Sequence, residues 1–353
     1  MPKRTGLLVV AVLAILAWVG EAGATLSLFN TFTGNELVST DGCGSNTASC
    51  TMQSNIQAGS TIQAAYLYSS TFTSTTDPNG ITLGKGGATT TPIFIPLGVN
   101  LIPDLQAWRA DVTSFVQANA NIGLNTWTVT QGGKTSLPVF GESGEAIVIV
   151  YSNAGAQPNT HTILILDGFS ASTGDIAKIG FTALPPGFTA HMFLGDGFSF
   201  DGPNPLAPTS ISQVSTITVN GTDITTVAGH CDDDQDGPGS CANGALFTMG
   251  GSNAGSKTDP FTPTPCNGLG CIGSDHEAYD LGNIFKVGDT SGIVNTLNPS
   301  RDDNIFLEVF DISGTAQINP PPPPSVPEPG TLFLLGAGLM GLAGLRRALK
   351  RRT

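Results

Sequence analysis

The last 28 residues constrain everything that precedes them. Val326-Pro327-Glu328-Pro329 leads into Gly330 to Leu345 (GTLFLLGAGLMGLAGL), 16 residues without a charge, and then into Arg346, Arg347, Lys350, Arg351 and Arg352. A helix of this length falls just short of the roughly 17 to 25 residues that cross a bilayer. Cations directly after such a span hold that end on the cytoplasmic side, so the body is expected to fold outside the cytoplasm. The other end agrees: Lys3 and Arg4 precede the apolar run Leu7 to Val19 and then Ala22-Gly23-Ala24, the pattern of a secretory signal peptide cut after Ala24.

The Pro-Glu-Pro motif, the short apolar span and the arginine cluster together resemble the PEP-CTERM sorting signals of Gram-negative bacteria. That resemblance implies cleavage near Pro329 by exosortase, the membrane protease of the system. It also implies transient anchoring in the inner membrane by residues 330–345, with 346–353 as a basic cytoplasmic tail. A tail anchor that stays uncut is the alternative.

Between the two segments the charge is one-sided. Seven of the 14 Lys and Arg lie in the terminal segments against one of the 27 Asp and Glu, which leaves residues 25–329 a formal charge near −19. Such a surface repels nucleic acid and anionic headgroups and favours solubility and cation binding. Low total charge, 45 glycines and abundant Thr, Ser and Asn suit an exported all-β chain with many turns. The six cysteines fall into three close pairs, Cys43 with Cys50, Cys231 with Cys241, and Cys266 with Cys271. In an oxidising compartment these read as local disulfides. The spacings lack the C-x2-C and clustered histidines of a zinc site.

Alternation over Thr61 to Ser70 predicts a strand with Ile62, Ala64, Tyr66 and Tyr68 on one face, followed by the turn Asp77-Pro78-Asn79-Gly80. Further strands are expected at 92–97, 125–131, 176–184, 189–194 and 304–312. Residues 145–151 and 161–166 are continuously apolar, which predicts central strands buried on both faces. Asn220-Gly221 marks a two-residue hairpin turn within 216–227. A short helix is expected over 104–117, and residues 25–60 read as polar, with Cys43 and Cys50 in a Gly/Ser/Asn loop before the strand-like runs begin. The fold class is an antiparallel β-sandwich, jelly-roll-like, as one large or two consecutive sandwiches. The expected domains are a sandwich over 25–200 and a second β region over 201–318, with a loop insert at 229–273 long enough to be functional. A proline-rich stalk at 319–329 follows.

Residues 64–169 are also similar to a β-sandwich domain of unknown function from bacterial surface proteins. The likeness rests on Ala65-Tyr66-Leu67-Tyr68, on Ala110 to Val116 followed by Trp127-Thr128-Val129, and on Gly144 to Tyr151 leading to Asp167-Gly168-Phe169. It brings no catalytic residues with it.

Chemistry is concentrated in few places. Asp232, Asp234, Asp236 and Gly237 form D-x-D-x-D-G, which presents alternate carboxylates to a structural calcium ion. Position 12 of that loop is Asn243 rather than Glu, so Asp259 or Asp275 would have to complete the shell; a solvated acidic loop is the alternative. Gly141-Glu142-Ser143-Gly144 superficially resembles a protease nucleophile loop. All four histidines (His161, His191, His230, His276) follow Ser143, and no G-x-S-x-G surrounds it. Gly80 to Lys85 is one residue short of a phosphate-binding loop and reads as strand and turn. Asp302-Asp303 and Asp275-x-Glu277 are the other acid clusters that a two-carboxylate glycosidase would need. His161-x5-Asp167-Gly168-Phe169-Ser170 echoes His191-x4-Asp196-Gly197-Phe198-Ser199, as two strands ending in Asp-Gly turns would.

The sequence thus predicts an exported, non-enzymatic surface or matrix protein. By resemblance, exosortase and the export machinery are its processing partners, and exopolysaccharide of a biofilm or floc is its environment. A secreted carbohydrate-active enzyme and a calcium-dependent self-assembling surface module are the alternatives.

Overall fold

The computed structural model describes residues 26–44, 49–72, 78, 80–100, 105–130, 142–170, 174–197, 215–228, 247–251, 277–298 and 304–318. Their strands form four sheets, and every pairing is antiparallel.

The first outer sheet runs β3 (Ser49–Ile56), β9 (Gly123–Thr130), β5 (Thr82–Lys85), β6 (Ala88–Thr90). The first inner sheet runs β2 (Glu36–Gly44), β10 (Glu142–Ser152), β4 (Thr61–Phe72), β8 (Leu105–Asp111), β7 (Ile95–Asn100). The second inner sheet runs β1 (Ser27–Gly34), β11 (His161–Asp167), β19 (Asn304–Ser313), β13 (Ala190–Gly197), β16 (Phe247–Met249), with β17 (Ala278–Asp280) also on β13. The second outer sheet runs β15 (Thr222–Ala228), β14 (Ser215–Val219), β18 (Ser291–Leu297), β12 (Ile176–Phe181), β20 (Ala316–Ile318).

Three apolar cores lie between these sheets, which stacks them four deep. Met52, Trp127 and Val129 of the first outer sheet meet Leu67, Ile147 and Ile149 of the first inner sheet. Ala146, Val148 and Val150 on the opposite face of β10 meet Ile163, Ile165 and Val309 of the second inner sheet. Leu164, Leu166 and Met192 then meet Ile179, Ile217 and Val294 of the second outer sheet. This is why the middles of β10 (146–151) and β11 (163–166) are apolar at every position: each has a core on both faces, and each fully buried Val or Ile contributes roughly 1.5–3 kcal/mol. Strands from both sides of residue 200 share sheets, since β19 pairs with β11 on one side and β13 on the other.

Several local expectations need correction. Ala64, Tyr66 and Tyr68 share a face as the alternation predicts, but Ile62 packs into the other core. The ladder with β10 skips Gln63, pairing Val150 with Ala64 and Tyr151 with Ile62, and such a bulge flips the side chains beyond it. The helical patch is instead strand β8 followed by α1 (Thr113–Asn119). The strand-like runs begin earlier than expected: β1, β2 and β3 precede residue 61, Cys43 and Cys50 are strand residues of β2 and β3, and the Ser, Thr and Asn of these strands mask the alternation. The insert expected to be loop-like contributes the three-residue strand β16, paired with β13. The hairpin is as expected: Asn220 and Gly221 have φ of 51° and 76°, the left-handed pair of a type I′ turn.

Candidate functional site

Four distant segments meet at an open cleft of about 800 Å³. Asn30 and Phe32 come from β1, Gln63, Ala64 and Tyr66 from β4, Thr90 to Ile93 from the end of β6 and the chain beyond it, and Asp111 to Phe115 from the junction of β8 and α1.

Backbone and side-chain bonds fix the geometry of this junction. The Val112 amide donates to the Ala65 carbonyl at 2.9 Å. Thr113 Oγ1 accepts from the Ala65 amide at 2.9 Å, and the Thr113 amide donates to Asp111 Oδ1 at 2.8 Å. That last bond is the turn for which aspartate is suited, and it leaves the second carboxylate oxygen toward solvent. Asn30 Nδ2 donates to the Tyr66 hydroxyl at 3.0 Å, while the Tyr66 ring stands edge-on to Phe29 at 5.0 Å. Burial raises the Tyr66 phenol above its ordinary value, so the hydroxyl stays neutral and can donate. Ile93 is 83% exposed at the rim.

The lining therefore mixes aromatic faces (Phe32, Tyr66, Phe115), amides (Asn30, Gln63), hydroxyls (Thr90, Thr91, Thr113, Ser114) and the Asp111 carboxylate; no Lys or Arg is among these lining residues. Rings that cover C–H faces, with amides and a carboxylate that pair with hydroxyls, suit a polyhydroxylated ligand without negative charge. The one lining carboxylate contrasts with the two that glycoside hydrolysis by paired acids uses.

Beneath the cleft, polar ties cross between the inner sheets. Arg109 of β8 pairs with Asp167 of β11, and the Tyr68 hydroxyl donates to the same carboxylate at 3.1 Å. The guanidinium carbon lies 3.3 Å from the centroid of the Phe29 ring. Burial pushes the Asp167 carboxyl up, and the Arg109 charge and these two hydrogen bonds pull it back.

A second tie has the connectivity of a hydrolase triad. His161 Nδ1 lies 2.6 Å from Asp311 Oδ1, and His161 Nε2 lies 3.1 Å from Ser313 Oγ. All three residues are buried. The Thr189 amide donates to Ser313 Oγ at 2.8 Å, so the oxygen that would attack is already engaged. Tyr151 is pushed up to about 12 by burial and then by the Asp311 charge. The constellation joins β11 and β19 to Thr189, just ahead of β13, at one end of the second inner sheet. Sequence reasoning weighed Ser143 and missed Ser313, because the register that pairs His161 with Ser313 is not written in any motif.

The other residues singled out from sequence divide in two. Cys43 and Cys50 form the expected disulfide, with Cα atoms 5.9 Å apart. With Glu145 they are the one grouping with metal-ligand spacing among the described residues, and both sulfurs are spent in the bond. Ser143 is a residue of β10. Lys85 ends β5, its Nζ bonding Asn125 Oδ1 and lying 5.1 Å over the Trp127 ring, as a strand-and-turn reading of Gly80 to Lys85 requires. His161 and His191 lie on β11 and β13, both of which end at an Asp-Gly step and flank β19. Ala22, Ala24, Cys231, Cys241, Cys266, Cys271, Asp232, Asp234, Asp236, Asp259, Asp275, Asp302, Asp303 and the C-terminal segment from Asn319 lie outside the described residues.

Comparison with protein families finds the PEP-CTERM protein-sorting motif at residues 325–348. No curated protein and no solved structure is significantly similar to the chain. The motif marks the chain as an exosortase substrate exported to the cell envelope. Among the described residues no helix is long and apolar enough to cross a membrane.

Proposed function

We propose that this exosortase substrate is a non-enzymatic component of the cell surface or extracellular matrix that holds exopolysaccharide in the cleft between β1, β4 and α1. In this reading the signal peptide exports the body, the C-terminal helix anchors it in the inner membrane until cleavage near Pro329, and the body then joins the matrix.

The observation that carries the reading is the lining of the cleft. Aromatic faces, amides and hydroxyls with a single carboxylate match a neutral or amine-bearing saccharide better than an acidic one, because Asp111 repels a uronate or sulfate. The stack supports the same role, since lining residues sit on β1 and β4, strands of the two inner sheets. A calcium ion on Asp232, Asp234 and Asp236 would stabilise the folded state by mass action where millimolar calcium is present.

The test is binding of the purified body to polysaccharide from its host, with Ser114→Arg to block the cleft and Asp111→Asn to remove the charge while keeping the turn. Each site is exposed, so the fold is expected to survive. Ser114→Arg is expected to weaken binding by about tenfold or more, roughly 1.4 kcal/mol. Asp111→Asn is expected to relax discrimination against acidic polymers. Undiminished binding by Ser114→Arg would move the site elsewhere, and sugar release by the wild type would make the protein an enzyme.

A further inference from the structure

The charge of the cleft is one-sided. Asp111 is exposed, spends Oδ1 on the Thr113 amide at 2.8 Å, and forms no ion pair among the described residues. Arg109, two residues back on β8, is committed to Asp167 and to the face of the Phe29 ring. Residues 25–329 carry a formal charge near −19, so the body as a whole has the same sign as Asp111 and draws cations toward it.

Hydrogen bonding is one-sided in the same sense. The amide nitrogens of the lining are engaged within the protein: Asn30 Nδ2 donates to the Tyr66 hydroxyl at 3.0 Å, and Gln63 Nε2 donates to Ser152 Oγ at 2.8 Å. Thr113 Oγ1 is held by the Ala65 amide and carbonyl. Among the described residues, what stays open to a ligand is rich in acceptors: Asp111 Oδ2, the Gln63 amide oxygen and the hydroxyls of Thr90, Thr91 and Ser114. An ammonium complements such a set, because it brings a positive charge and three N–H donors and accepts nothing. Calcium suits it less well, since that ion takes roughly six to eight oxygen ligands and the cleft offers one carboxylate.

Building on the saccharide reading of the cleft, we propose that its occupant is the free-amine form of a hexosamine polymer, with an ammonium on Asp111 and sugar C–H faces against Phe32, Tyr66 and Phe115. N-acetylation removes that charge and replaces the ammonium with an amide that carries an acceptor of its own, so the acetylated polymer loses the pairing with Asp111. A lysine-rich peptide offers the same ammonium, but three lining rings favour a carrier with apolar C–H faces to cover them.

The experiment titrates the purified protein with a glucosamine oligomer and with its N-acetylated counterpart of equal length. It is run at about 0.15 M salt, where fields beyond about 8 Å are screened, and includes Asp111→Asn and Ser114→Arg. The free-amine oligomer is expected to bind wild type about fivefold more tightly, the upper end for an exposed ion pair. Asp111→Asn is expected to remove most of that preference and to leave binding of the N-acetylated oligomer unchanged. Equal binding of the two oligomers, or a preference that survives Asp111→Asn, would overturn the proposal and leave the saccharide reading in place, provided Ser114→Arg weakens both. Tighter binding of a lysine oligomer that Ser114→Arg abolishes would make the occupant a cationic peptide and overturn it as well. If wild type binds neither glycan, or Ser114→Arg weakens neither, the saccharide reading of the cleft falls and the proposal falls with it.

Discussion

The two interfaces of the second inner sheet treat buried carboxylates in opposite ways. Toward the first inner sheet, Asp167 is met by Arg109 and by the Tyr68 hydroxyl, so the charge is matched within the chain. Toward the second outer sheet, Glu308 has an unmatched oxygen and a second acid for a neighbour. The first interface is complete as soon as the chain folds. The second holds a carboxyl that burial keeps protonated into the neutral range.

The largest expected effect comes from breaking the matched side. Arg109→Met should cost about 3–5 kcal/mol in denaturant unfolding, because it strands a buried carboxylate, and adding Asp167→Asn should recover much of the loss. A loss below 1 kcal/mol would mean that water reaches Asp167 once the arginine is gone.

The unmatched side should show itself through pH. The Glu308 carboxyl is raised in the folded state from an ordinary 4.5 to about 8, so the folded chain holds a proton that the unfolded chain releases. Stability is then greatest below about 4.5, falls by about 1.4 kcal/mol per pH unit up to about 8, and is flat above. This slope should be lost in Glu308→Gln. Stability curves measured from pH 5 to 8 decide it, and a slope that Glu308→Gln leaves unchanged would assign the pH dependence to another group.

The Cys43–Cys50 disulfide closes a short loop beside the first outer sheet, away from both interfaces. Replacing both cysteines with serine should cost about 2.5 kcal/mol by loop-closure entropy and leave the pH slope as it was. Smallest in stability is Ser114→Arg, expected within about 0.5 kcal/mol of wild type as a surface change. Its effect should appear in polysaccharide binding alone.

The parts of this comparison that the sequence carries are those encoded locally. Continuous apolar runs place β10 and β11 between two cores, Asn220-Gly221 places a hairpin, and cysteine spacing gives Cys43–Cys50. The rest depends on register between segments far apart in the chain. The bulge at Gln63 turns Ile62 to the other core without any local signal. The polar strands β1 to β3 carry no apolar alternation because Ser, Thr and Asn occupy many of their inward positions, several of them opposite apolar residues of β10 and β11. Asp111 and Tyr66 line one cleft only because β4 pairs with β8. Glu308 looks like any acid in an alternating strand until Leu166 and Leu194 are found on either side of it.

Processing at both ends underlies the proposed surface role, and the intact mass of the protein isolated from its host tests it directly. The expected mass corresponds to Thr25 through about Pro329 with its disulfides formed. A mass that retains the C-terminal segment would contradict release from the membrane, and one that retains residues 1–24 would contradict removal of the signal peptide.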